Sequence, residues 1–87
     1  MEWVQRVNFA TQKIKVLLAQ EGKRDTDVNV ATFLNTSSST YRRLKIDYQA
    51  PHPELLISLA TKLNLSLNWF LLGIGEPDLA EYLPKDS

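Results

Sequence analysis

Trp3, Val7, Ala10, Ile14, Leu17 and Leu18 recur at steps of three and four, the spacing that lines one face of an α-helix. The same step returns in Leu55, Leu56, Leu59, Ala60 and Leu63. This helical spacing dominates the chain, so the fold class is read as all-α. Helix stops and starts divide the chain further. Gly22 ends a first helix near residues 3–21, and Asn35 ends a second, because glycine and asparagine tolerate the left-handed backbone that a helix end requires. Ser37 is a good N-cap for a third helix, and Pro53 suits the first turn of a fourth, which Asn64 closes. Ser66 caps a fifth, with Leu65 and Phe70 spaced as a hydrophobic staple and Trp69, Leu71 and Leu72 filling it out before Gly73 and Gly75.

Five short helices in 87 residues, 44% of them hydrophobic, make one small domain. The chain has no cysteine and a single histidine, His52. Disulfides and thiolate metal sites are therefore excluded, and a zinc site or a histidine-based catalytic pair is disfavoured. His52, just before Pro53, reads as a surface or capping residue. No apolar run reaches the length of a membrane span and the N-terminus lacks the order of a signal peptide, so a cytoplasmic chain is expected.

The segment Thr26 to Lys45, TDVNVATFLNTSSSTYRRLK, carries the most chemistry. It reads as two short helices around a tight turn, a helix-turn-helix, the motif that lays a helix in the DNA major groove. Val30, Ala31 and Leu34 point inward from the first helix, with Ala31 small where the helices approach. Tyr41 and Leu44 are the buried contacts of the second. Its outward face is then Ser39, Arg42 and Arg43, flanked by Ser38. Arginine suits bidentate contact to guanine, and a small serine beside it lets the helix approach the base edges. The competing reading is a solvated polar face on an ordinary core helix.

Formal net charge is zero, which weighs against nucleic-acid binding because phosphate neutralisation supplies most non-specific affinity. The distribution answers part of that objection. Residues 1–45 carry eight basic and four acidic side chains, and residues 46–87 carry two and six, so the candidate motif lies on the positive half.

The order of this motif, a loop with Pro51, and then PELLISLATKLNLSLNWFLLGIGEP resembles the N-terminal DNA-binding domain of phage CI-type repressors, in the lambda-repressor-like (XRE) helix-turn-helix superfamily. The resemblance covers about residues 6 to 77 and is most specific over Asn64 to Pro77, NLSLNWFLLGIGEP. It implies a compact five-helix bundle that binds operator DNA as a homodimer and represses transcription without a cofactor or small-molecule substrate. By that likeness Ser38, Ser39, Arg42 and Arg43 meet base edges, while Thr26, Ser37, Thr40, Lys45 and Tyr48 meet phosphates. Trp69, Phe70, Leu79, Tyr82 and Leu83 are the expected dimer contacts. Three positions depart from the family pattern. Asp27 stands where a phosphate-touching Gln is common and would repel a phosphate, although its charge suits its own helix N-terminus. Asn35 replaces the usual turn glycine, and the loop after the third helix reads Lys45, Ile46, Asp47, Tyr48 in place of a Glu-Asn-Gly stretch.

Residues 1–77 are thus read as the helix-turn-helix domain and 78–87 as a C-terminal tail or the start of a linker. That last piece either docks on the bundle or on a second copy, or leads to a further domain. Phe9 and Val16 form a second face of the first helix, which either packs under the tail or meets a partner. The alternative function is a protein-interaction module of the same fold, such as an antitoxin or adaptor, favoured by the neutral charge and Asp27. An enzyme is not expected, since Ser37, Ser38 and Ser39 have no His or Lys base nearby in sequence and no glycine loop cradles phosphate.

Overall fold

Left-handed residues mark the places where the chain turns. In the computed structural model, which describes residues 2–48 and 50–78, Gly22, Asn35, Asn64, Gly73 and Gly75 all have positive φ. The helices between them are α1 (Trp3–Gln20), α2 (Asp27–Phe33), α3 (Ser38–Ile46), α4 (Pro53–Lys62) and α5 (Leu67–Leu72). The expected all-α, five-helix bundle is the observed one. Among the described residues the only extended pairing is an isolated bridge from Leu65 to Asp78.

Each stop satisfies carbonyls that a helix end leaves open. At the end of α1, Lys23 N–H bonds Leu18 O at 2.9 Å and Gly22 N–H bonds Ala19 O at 3.0 Å. Asn35 repeats the pattern at the end of α2, where Thr36 N–H bonds Ala31 O at 3.0 Å and Asn35 N–H bonds Thr32 O at 3.1 Å. Both are the paired bonds of a Schellman ending, one on glycine and one on asparagine. The starts follow side-chain rules as well. Thr26, Ser37 and Ser66 each accept the backbone N–H three residues on, and α4 begins at Pro53 with His52 as its N-cap through the backbone alone. The third helix runs one residue further than the spacing implies, taking in Ile46.

One core joins all five helices. Ile14, Val30, Tyr41, Leu55, Leu59 and Leu65 are fully buried within it, and burial of each large apolar side chain contributes roughly 1.5–3 kcal/mol. Val30, Ala31, Leu34, Tyr41 and Leu44 all lie inside, as their spacing predicts. Leu17 is only half-buried at its edge. Phe9 packs ring-edge on Trp69, 4.9 Å between centroids, so this part of the second face of α1 meets α5. Val16 is exposed.

Three buried side-chain hydrogen bonds tie this core together. Arg6 is buried and its Nε donates to Phe70 O at 2.8 Å. Thr11 and the Tyr41 hydroxyl share a buried hydrogen bond of 3.0 Å. Trp3 Nε1 donates to Leu44 O at 2.9 Å. The C-terminal exit folds back: Ser66 N–H donates to Pro77 O at 2.7 Å, and Asp78 pairs with Lys13 at 2.8 Å. Asp78, read from sequence as the first residue of a tail, is therefore tied to the globule. No helix of the described residues is long and apolar enough to cross a membrane.

Candidate nucleic-acid interface

α3 faces outward because everything that could bury it is on its other side. Tyr41 and Leu44 enter the core, and α1 holds them there at two points. The Thr11 bond fixes the middle of α3 and the Trp3 indole takes a carbonyl at its end. A helix held twice by hydrogen bonds from one neighbour is a rigid support for the side chains on its far face. On that face Ser39, Arg42 and Arg43 are exposed and Ser38 is partly so, which brings together the four residues expected to meet bases.

Their hydrogen bonding separates them. Arg42 lies back along the helix: its Nη2 donates to Ser38 Oγ at 3.0 Å and its Nε to Ser38 O at 3.3 Å. Ser38 and Arg42 thus form an i, i+4 pair, as neighbours on one helix face do. The Arg43 guanidinium makes no hydrogen bond or ion pair with the described residues, and the residue is exposed, with five N–H donors to offer. Ser39, four residues before it, is exposed beside it.

The residues expected to meet phosphates divide in the same way. At the start of α3, Ser37 Oγ accepts Thr40 N–H at 3.1 Å and donates to Thr40 Oγ1 at 2.9 Å. The Thr40 hydroxyl proton is left to donate outward. Thr26 is exposed and uses its oxygen to accept Asn29 N–H at 3.2 Å, which likewise leaves its proton available. Beside Ser37 and Thr40 an open hollow is lined by Asn35, Thr36, His52, Pro53 and Glu54. Tyr48 stands at the other end of α3, exposed, with its ring edge on Trp3 at 5.0 Å between centroids.

Lys45 is placed differently from the free cation that its position suggests. Its Nζ lies 3.0 Å from Asp27 Oδ1 and 4.8 Å from the centroid of the Tyr41 ring. Asp27 also stands 4.0 Å from Arg42 Nε. The first residue of α2 thus reaches across to two cations of α3. Sequence spacing alone had no signal for this contact, because the partners are eighteen residues apart and meet only when α2 docks on α3.

Two of the five expected dimer contacts, Trp69 and Phe70, lie in the core. They are 5% and 3% exposed; their rings are occupied by Phe9 and Trp3, so neither is available to a partner. The exposed apolar residues at that end are Leu72 and Ile74, at 66% and 62%. Leu79, Tyr82 and Leu83 lie outside the described residues. Compared with protein families, with curated proteins and with solved structures, the chain matches none.

Proposed function

We propose that this chain is a non-enzymatic, sequence-specific DNA-binding domain, a transcriptional regulator of the phage-repressor kind, that lays α3 in the major groove as one half of a homodimer. The observation that carries this reading is the outward face of α3: Ser39, Arg42 and Arg43 stand exposed on a helix whose opposite face is held to α1 by hydrogen bonds from Trp3 and Thr11. Arg43, exposed and with a guanidinium unpaired among the described residues, is the base reader. Arg42 and Ser38 act together as a second, pre-folded unit. The hydroxyls of Thr26, Thr40 and Tyr48 set the register by donating to phosphates, which position a protein on the duplex without reading its sequence.

Selection from a random duplex library, followed by anisotropy titration of the enriched site and of unrelated DNA, tests this directly. A recovered consensus is expected. On that site Arg43→Ala costs about 1–3 kcal/mol, with little change on unrelated DNA and a flattened preference at one base position. Equal weakening on both kinds of DNA removes α3 as the sequence reader. Failure to enrich any site favours the second reading, a protein-binding module of the same fold. What favours that alternative is the carboxylate of Asp27 standing beside Lys45 and Arg42 on this face.

A further inference from the structure

We infer that Asp27 acts as a built-in competitor for phosphate, which removes Lys45 from the electrostatic count of DNA binding and keeps sequence-independent affinity low. The inference rests on the DNA-binding reading above and assigns a role within the same site. Asp27 Oδ1 is 3.0 Å from Lys45 Nζ, and the two side chains are 43% and 31% exposed. The pair is neither sunk in the core nor fully washed by solvent. Lys45 is held from a second side as well, with its ammonium 4.8 Å from the centre of the Tyr41 ring, a ring fixed in turn by Thr11. The ammonium is therefore seated by two partners on two elements, and its charge is already met.

A phosphate arriving at Lys45 meets the carboxylate at the same place. It must displace Asp27 from Lys45 or accept a like charge a few ångströms away, and either course cancels most of what one Lys–phosphate contact adds. Arg42 is under the same influence more weakly, at 4.0 Å from Asp27 and with its guanidinium also turned to Ser38. Arg43 makes no such contact among the described residues. Asp27 consequently mutes the two cations it reaches and leaves the exposed Arg43 to act. Electrostatic attraction to any DNA falls, while the contact that discriminates between sequences is kept.

Salt dependence separates these roles, because each phosphate neutralised adds about 0.9 to the slope of log K against log salt concentration on duplex DNA. The protein, Asp27→Asn, Lys45→Met and the double variant are titrated with a random-sequence duplex and with the selected site, at several salt concentrations. Circular dichroism and thermal melting check that each variant is folded. Lys45→Met alone is expected to leave the slope unchanged. Asp27→Asn steepens it by about 0.9 on both DNAs, so the tightening is about three- to fourfold greater at 50 mM than at 200 mM salt. The double variant returns to the original slope. If Lys45→Met alone lowers the slope by about 0.9, Lys45 leaves Asp27 to meet a phosphate and the competitor role is wrong. An unchanged slope in Asp27→Asn overturns it equally. If no duplex binds to the protein or to Asp27→Asn, the DNA-binding reading itself falls, and this inference with it.

Discussion

Tyr41 is fully buried, yet it carries a hydroxyl, and among the described residues its hydrogen-bond partner is Thr11 on α1, 3.0 Å away. The two residues are not equivalent when one is removed. A threonine in a helix can turn its hydroxyl back to a carbonyl of its own helix, whereas a buried tyrosine hydroxyl has no such local acceptor. Tyr41→Phe should therefore destabilise the fold by about 1 kcal/mol. Thr11→Val, which strands the phenol, should cost about 1–3 kcal/mol. The double variant should be less destabilised than the sum of the two, and urea unfolding of the three proteins measures all the differences. Equal costs for the single variants would show that the phenol finds another partner. Tyr41 was legible as a core residue from its spacing to Leu44. Thr11 lies on the same stripe, four after Val7 and three before Ile14, but its polar side chain hides that membership. Arg6 offered no signal, since its acceptor is 64 residues away.

At the scale of elements, what could be read ahead was local chemistry. Glycine and asparagine at helix ends, hydroxyls at helix starts and a proline in a first turn depend on a few consecutive residues, and each acts in the folded chain as its type dictates. Asn35 is the most informative case, because the turn between α2 and α3 sets how α3 is presented and depends on φ of 57° at that residue. A Cβ-bearing side chain without asparagine's local hydrogen bonding is strained there. Asn35→Ala should lower stability by about 1 kcal/mol, with a β-branched residue nearer 2 kcal/mol, while Asn35→Gly should be neutral or slightly stabilising. Thermal unfolding of the series checks the order Gly, Asn, Ala, Val. What could not be read was pairing between elements. Asp27 was legible as a helix-end charge, and Lys45 as a cation past the outward face. Their meeting depends on how far α3 slides along α2, which no local pattern encodes.

Across the whole molecule the same distinction decides which apolar residues are core and which are surface. Trp69, Phe70, Leu71 and Leu72 form one apolar run in sequence, and a six-residue helix cannot bury all of its sides. The side facing α1 takes Trp69 and Phe70, against Phe9 and Trp3. Leu72 is left outward just before Gly73 turns the chain, and Ile74 just after it. Two large aliphatic side chains exposed around one turn suit an interface, and a two-fold axis through such a patch pairs it with itself. A dimer formed there would offer two copies of α3 to paired half-sites, which a single small module needs in order to cover enough DNA. Leu72→Ser with Ile74→Ser is therefore expected to shift the protein to monomer in sedimentation equilibrium. Because neither side chain lies in the core, helicity and the thermal midpoint measured under monomeric conditions should hardly change. Affinity for an isolated half-site should persist, while affinity for the complete site should fall towards the half-site value. A protein that sediments as a monomer before the substitutions, at high concentration and with one copy per operator, rules out this interface. A dimer that survives them must be held elsewhere.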